Sequence, residues 1–174
     1  MSDLFDLCFA WTVKIEGEYS ASPNDPGNWS SGEAGKGRLL GTKYGISGAA
    51  YPNLDIKNLT LQQAEQIYQQ DYWAPLPACL SDWMRRGMFD AAVQHGLPTA
   101  IKLLQNCLNV TQDGIFGPIS EAAYGNADQT DLYFCLLCRR WLLYYSLTNF
   151  SDNAAGWGTR LLLLGRLYAK GFAP

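Results

Sequence analysis

The chain has 174 residues, 48% of them hydrophobic and 13% aromatic, which is enough to bury a core and too apolar for a disordered segment. Its formal net charge is −3 and its pI is near 5.0. Duplex nucleic acid is therefore excluded as a partner, because phosphate binding needs clustered Lys and Arg that are missing here. The first eleven residues carry Asp3 and Asp6 without a cationic start, unlike a secretory signal. No apolar run reaches membrane-spanning length. Synthesis in the cytoplasm with no membrane contact is the expectation, and the length fits one domain over residues 1–174.

In chain order, Leu4, Leu7, Cys8, Trp11 and Ile15 recur at helical spacing, with Ser2 as a cap, and predict a helix to about Tyr19 that carries Glu16 at its end. A long Gly, Ser, Asn and Pro-rich loop follows through Gly41, with a short strand pair near Leu39 to Ser47. Thr60 and Gln63 form a capping box for a helix with Leu61, Ala64 and Ile67 on one face, stopped by Pro75 after Trp73. Another helix spans about Ser81 to His95 and ends at Gly96, and Pro98 suits the first turn of a helix over Thr99 to Leu108. A turn at Asp113 to Pro118 precedes two longer helices, about Asp131 to Thr148 and Ala155 to Lys170, the second interrupted by Gly165. The run Leu161 to Leu164, flanked by Arg160 and Arg166, is expected to face the core. The fold class is mainly α, a helical bundle with a small loop and β element.

Five cysteines, Cys8, Cys79, Cys107, Cys135 and Cys138, lack the spacing of a disulfide framework, and reduced thiols are the expectation. Cys135 and Cys138 form a Cys-x-x-Cys pair inside a helical pattern, where buried small hydrophobes are the simpler reading than zinc or redox chemistry. No metal and no cofactor is expected.

The chemistry concentrates in Ile15-Glu16-Gly17-Glu18-Tyr19, Asn24-Asp25-Pro26-Gly27 and Thr42-Lys43-Tyr44-Gly45-Ile46. A glutamic acid where a helix meets a cleft is partly desolvated, which favours its neutral form and lets it donate a proton to a glycosidic oxygen. Asp25, nine residues on in a turn, stays ionised. Each residue has a plainer reading. Glu16 suits a fraying helix end, Asp25 an Asx turn before Pro-Gly, and Thr42 a local cap. Glu18, two positions from Glu16, points elsewhere and is expected in solvent. Tyr19, Trp29, Tyr44, Tyr72 and Trp73 surround the motif; Tyr19, Tyr44 and Tyr72 are read as cleft residues and Trp73 as packed. Asp90 and Gln94, one helical turn apart, suit hydrogen bonds to N-acetyl or hydroxyl groups, with a buried helix-to-loop bond as the competing reading. His95 beside Gly96 suits terminal carbonyls.

These motifs together resemble glycoside hydrolase family 108, the N-acetylmuramidase family of phage lysins and related bacterial proteins. Glu16-Gly17-Glu18-Tyr19 follows its Glu-Gly-Gly-Tyr motif, with Glu18 in place of glycine. Asp25-Pro26-Gly27 and Thr42-Lys43-Tyr44-Gly45-Ile46-Ser47 follow next, although the spacing of seventeen from Asp25 to Thr42 is wider than in the family. Ala50-Tyr51-Pro52, Leu54-Asp55-Ile56, Ile67-Tyr68 and Asp71-Tyr72-Trp73 continue the pattern. The region 86–174 resembles a peptidoglycan-binding-like segment through Phe89-Asp90-Ala91-Ala92-Val93-Gln94, Leu103-Leu104-Gln105, Asp113-Gly114, Gly117-Pro118 and Gly156-Trp157 with Arg160. The order of glutamate, aspartate and threonine is also similar to single-domain phage lysozymes.

The resemblance implies a lysozyme-like fold with its catalytic motifs in residues 1–85. It also implies cleavage of the bond between N-acetylmuramic acid and N-acetylglucosamine in bacterial peptidoglycan. Glu16 is then the acid, with Asp25 and Thr42 assisting, and Tyr19, Tyr44, Tyr72, Asp90 and Gln94 bind substrate. Lacking an export signal, the chain acts in the periplasm or wall after holin release, as a phage lysin, or after delivery by a secretion system, as a toxin with an immunity protein as partner. A non-catalytic wall-binding module and a lytic transglycosylase are the alternative readings.

Overall fold

The computed structural model describes residues 4–16 and 19–170, with the side chains of residues 13–16 outside that description. Ser2 as helix cap, the Glu16 side chain and the surroundings of Glu18 therefore lie outside the described residues. The chain forms two compact units, Met1–Ala74 and Pro75–Pro174.

The first unit opens with α1 (Leu4–Glu16). Its buried face is Phe5, Cys8, Phe9 and Thr12, an i, i+3, i+4, i+7 stripe, whereas Leu7 is 42% exposed. Of the expected stripe, Cys8 is on this face, Leu4 and Trp11 are half-buried, Leu7 is turned out, and the Ile15 side chain lies outside the described residues. The helix is apolar on several sides, and aromatic packing chooses between them: Phe5 lies 5.6 Å from Trp73 and Phe9 lies 5.4 Å from Tyr68, ring centre to ring centre. After a 3-10 turn (Pro26–Asn28), β1 (Thr42–Lys43) and β2 (Ile46–Ser47) form an antiparallel hairpin with Thr42 opposite Ser47.

The intervening excursion is ordered rather than loose. A bridge between Trp29 and Leu39 closes its base, and the Ser30 N–H donates to the Arg38 carbonyl at 2.9 Å. Helix α2 (Leu61–Ile67) carries the expected capping box, in which the Gln63 N–H donates to Thr60 Oγ1 at 3.2 Å and the Thr60 N–H to Gln63 Oε1 at 2.9 Å. It then widens into a π-helical turn (Tyr68–Trp73).

The second unit holds α3 (Asp82–His95), α4 (Leu97–Cys107), α5 (Pro118–Asn126), α6 (Gln129–Tyr145) and α7 (Phe150–Ala169). Helix α5 has no counterpart in the periodic pattern, because only Ser120 and Tyr124 of its nine residues are buried. Gly165 does not interrupt α7. Of the Leu161 to Leu164 run, Leu161 and Leu164 are buried, but Leu162 is 76% exposed. Gly87 lets α3 press on α6, since a β-carbon there would stand 2.9 Å from the Tyr133 ring. Among the described residues no helix is long and apolar enough to cross a membrane.

Three helices are joined through one buried acid. Asp90 of α3 is 1% exposed, with Arg140 of α6 at 2.6 Å and Arg160 of α7 at 2.8 Å. Burial pushes its carboxyl upward, yet the two guanidinium groups together outweigh that and hold it below the usual range. Breaking such a pair by deleting one partner costs about 3–5 kcal/mol. Beside it, the Tyr144 hydroxyl donates to Gln94 Oε1, and Trp157 stacks on the Tyr144 ring at 4.6 Å.

Cys107 and Cys135 form a disulfide between α4 and α6, contrary to the expectation of reduced thiols. Helix packing sets their Cα atoms 5.9 Å apart, within the range a disulfide spans, an adjacency that sequence spacing does not reveal. Cys138 remains free and exposed.

Two stability predictions follow from this unit. Burial, and then the nearby positive charge of Arg140, lowers the pKa of His95 from 6.5 to about 4, while the Asp90 carboxylate opposes them and Arg160 adds to them. The unfolded chain thus binds the His95 proton at higher pH than the folded one, so its contribution is complete above pH 6.5 and is lost as pH falls toward 4. Thermal melts between these pH values should show that decline, reduced in a His95→Gln variant. Because the disulfide spans 28 residues, reducing it should cost about 3–4 kcal/mol in urea unfolding, an effect reproduced by Cys107→Ser together with Cys135→Ser.

Candidate active site

Within the first unit the Asp25 turn and the Thr42 strand converge on one buried amide. Asp25 caps the 3-10 turn, with its Oδ1 accepting the Gly27 N–H at 2.9 Å. The turn ends in Asn28, fully buried, whose Nδ2 donates to the Ser22 carbonyl at 3.0 Å. Its Oδ1 accepts the Thr42 hydroxyl at 2.8 Å. Its backbone carbonyl accepts the N–H groups of Leu40 and Gly41 at 2.8 and 3.0 Å.

Thr42 in turn exchanges two backbone hydrogen bonds with Ser20, at 2.8 and 2.7 Å. Gly41 makes that approach possible: its φ is +82°, and a β-carbon would stand 2.7 Å from the Ser20 carbonyl and 2.5 Å from the Tyr19 ring. Asp25 and Thr42, distant in sequence, are thus joined through Asn28. Glu16 is the last residue of α1 and stands four residues before Ser20, so its Cα lies within about 14 Å of the bridge to Thr42.

The hydrogen-bond geometry limits what each group offers. A threonine hydroxyl has one proton and two lone pairs. The Thr42 proton is spent on Asn28, which leaves the oxygen as an acceptor. Asp25 is exposed, and among the described residues none donates to its Oδ2. Asn28 was absent from the residues singled out by sequence. Its only signal there is its place directly after Asp25-Pro26-Gly27.

The aromatic residues divide. Tyr19 is 37% exposed, its hydroxyl 3.4 Å from the Leu40 carbonyl. Tyr44 sits at the hairpin tip with φ +52°, a conformation uncommon for a non-glycine residue, and its carbonyl accepts the Tyr68 hydroxyl at 2.9 Å. Tyr72 lies on the π-helical turn, 5.5 Å from the Tyr68 ring. Its hydroxyl is 3.5 Å from that of Tyr51, which donates to Asp71 Oδ2 at 2.8 Å. Burial, reinforced by the hydrogen bonds with Tyr72 and Asp71, holds the Tyr51 phenol far above its usual range. Trp73 packs against Phe5.

Asp90 and Gln94 belong to the second unit. The expectation that Asp90 hydrogen-bonds sugar is corrected by its burial, with both carboxylate oxygens held by Arg140 and Arg160. The alternative of a helix-to-loop bond is also replaced, since both partners are on helices. Gln94 is half-buried with its Oε1 engaged by Tyr144. The sequence could not name these partners, because Asp90 and Arg160 are seventy residues apart. A groove of about 900 Å³ between α6 and α7 is lined mainly by apolar residues such as Phe134, Leu137, Trp141 and Leu161. Among the described residues its lining includes no carboxylate.

A family model described as glycosyl hydrolase 108 matches residues 9–96. No curated protein matches the chain in sequence. Among solved structures, that of Brucella abortus SagA is similar over 95% of this chain and 94% of its own, with a TM-score of 0.76 and 27% identity. The matched stretch contains the α1 terminus, the Asp25 turn and the Thr42 hairpin. With its mainly α-helical, lysozyme-like fold, the chain belongs to glycosyl hydrolase family 108 and is a peptidoglycan hydrolase of the lysozyme-like kind.

Proposed function

We propose that the chain is an N-acetylmuramidase in which Glu16 is the general acid. The convergence of Asp25, Asn28 and Thr42 at the Ser20 bridge, a short tether from Glu16, supports this reading most directly. Glu16 protonates the oxygen that leaves when the bond between N-acetylmuramic acid and N-acetylglucosamine breaks. Asp25, through its free Oδ2, and Thr42, through its oxygen lone pairs, hold and activate a water on the opposite face of the sugar. The Asp25 charge also stabilises the developing oxocarbenium.

Asn28 has a positioning role, since it fixes where the Thr42 hydroxyl points. The products then carry one added water per cut, which separates hydrolysis from the anhydro ends left by a lytic transglycosylase. The substrate places the activity in the periplasm or cell wall, reached either as a phage lysin or as a secreted antibacterial toxin. In the second case the exposed excursion between Trp29 and Leu39 is where an immunity protein docks.

Replacing Glu16 by Gln keeps the shape and removes the acid. Turnover of purified cell walls should fall by roughly 10²–10⁴-fold, and parental activity in that variant would refute the assignment. A Thr42→Val substitution removes the acceptor while keeping the branched shape. It should lower kcat with little change in KM, and mass spectrometry of the digest should show hydrated reducing ends.

A further inference from the structure

Three backbone and side-chain features of the first unit stand outside the hydrogen bonds of the Asn28 cluster and do not enter the bond-breaking step. The π-helical turn at Tyr68–Trp73 is one; such turns are rare, and they occur frequently at functional sites. The left-handed Tyr44 at the hairpin tip is another, tied to that turn by the Tyr68 hydroxyl at 2.9 Å. The third is the Tyr51, Asp71 and Tyr72 group itself. Tyr51 is anchored to the hairpin by its N–H, which donates to the Ser47 carbonyl at 3.0 Å, and Ser47 pairs with Thr42. The group therefore stands beside the strand that carries Thr42.

The chemistry of the group is an acceptor set on an aromatic shelf. Asp71 is exposed and, as a carboxylate, can only accept. One oxygen takes the Tyr51 proton, which fixes the side chain, and among the described residues none donates to the other. An exposed hydrogen bond of this kind adds little to the fold. Such a bond does not require the helix to widen around it. The half-buried Tyr72 ring and its hydroxyl complete the shelf, with the Tyr68 ring packed against it at 5.5 Å.

A ligand that fits brings hydroxyl donors for the carboxylate and a flat aliphatic face for the ring, and it carries no negative charge of its own. That is the description of a hexosamine ring with free hydroxyls. We infer that Tyr51, Asp71 and Tyr72 form a sugar-binding subsite that holds an uncharged N-acetylhexosamine unit of the glycan strand, with Asp71 accepting from its hydroxyls. The inference rests on the glycan-cleaving reading above and adds to it the residue that selects a neutral sugar. Asp71 reads the hydroxyls directly, and Tyr51 is a positioning residue that holds the carboxylate in place.

Isothermal titration with chitotetraose, an uncharged N-acetylglucosamine oligomer, tests this without relying on turnover. The parent chain should bind it, and Asp71→Asn should weaken binding roughly ten- to a hundred-fold, as expected for losing a hydrogen bond to a charged acceptor. Tyr51→Phe should weaken it less. The same variants should raise KM on solubilised glycan strands, with the loss falling on KM rather than kcat. All three side chains lie at or near the surface, so thermal melts should show folded variants. No binding by the parent, or equal binding by parent and Asp71→Asn, overturns the subsite. Failure of the Glu16→Gln test would instead remove the acid assignment and leave the titration to decide the subsite on its own.

Discussion

The geometry of the candidate site depends on the burial of one carboxamide. Asn28 has no exposure to water, and a buried amide left unpaired would cost on the order of 1–3 kcal/mol per group. The chain meets that demand by closing around it. Ser22 supplies an acceptor and the Thr42 hydroxyl a donor for the side chain, while Leu40 and Gly41 donate to the Asn28 backbone carbonyl. The effect is to pin the turn that begins at Asp25 to the strand that begins at Thr42, whatever length of chain runs between them. The two motif residues thus stay together despite their wide spacing in sequence: the residues between them leave and return through the Trp29 and Leu39 bridge without disturbing the amide.

The second unit solves a comparable problem with full charges. Asp90 neutralises one guanidinium and shares itself with another, so helices α3, α6 and α7 meet at a point where no water enters. The cost of burying these groups fixes the register of the three helices, because any slip would strand a cation in the core. Burial, and then the Arg140 charge, disfavours the protonated form of His95, whose ring lies 5.0 Å from that of Tyr144.

Much of this was legible in the sequence, for physical reasons that vary by element. The capping box at Thr60 and Gln63, the stop at His95 with Gly96 at φ +79°, and Pro98 in the first turn of α4 are local devices, so local reading finds them. The buried face of α1 is legible only in part, with Cys8 in the expected stripe and Phe5, Phe9 and Thr12 outside it, because a helix apolar on several sides leaves the choice to Tyr68 and Trp73, far along the chain. Helix α5 escaped notice because two buried residues make no periodic stripe. In the site, Glu16, Asp25 and Thr42 stood out as motif residues, but Asn28 did not, since an asparagine after Pro-Gly looks like any turn residue until its burial is known. Asp90 stood out for the wrong reason: a carboxylate and an amide one turn apart read alike whether they face solvent or a pair of arginines.

The cross-link between Cys107 and Cys135 has a topological consequence. The stretch it encloses contains the Asp113 to Pro118 turn and the whole of α5, where few side chains are buried and a protease finds exposed backbone. A cut there would nick the backbone without parting the fragments, and the severed ends would stay tethered at the positions from which they could re-anneal. The molecule is thus closed into a covalent ring around a stretch that its own core holds only lightly.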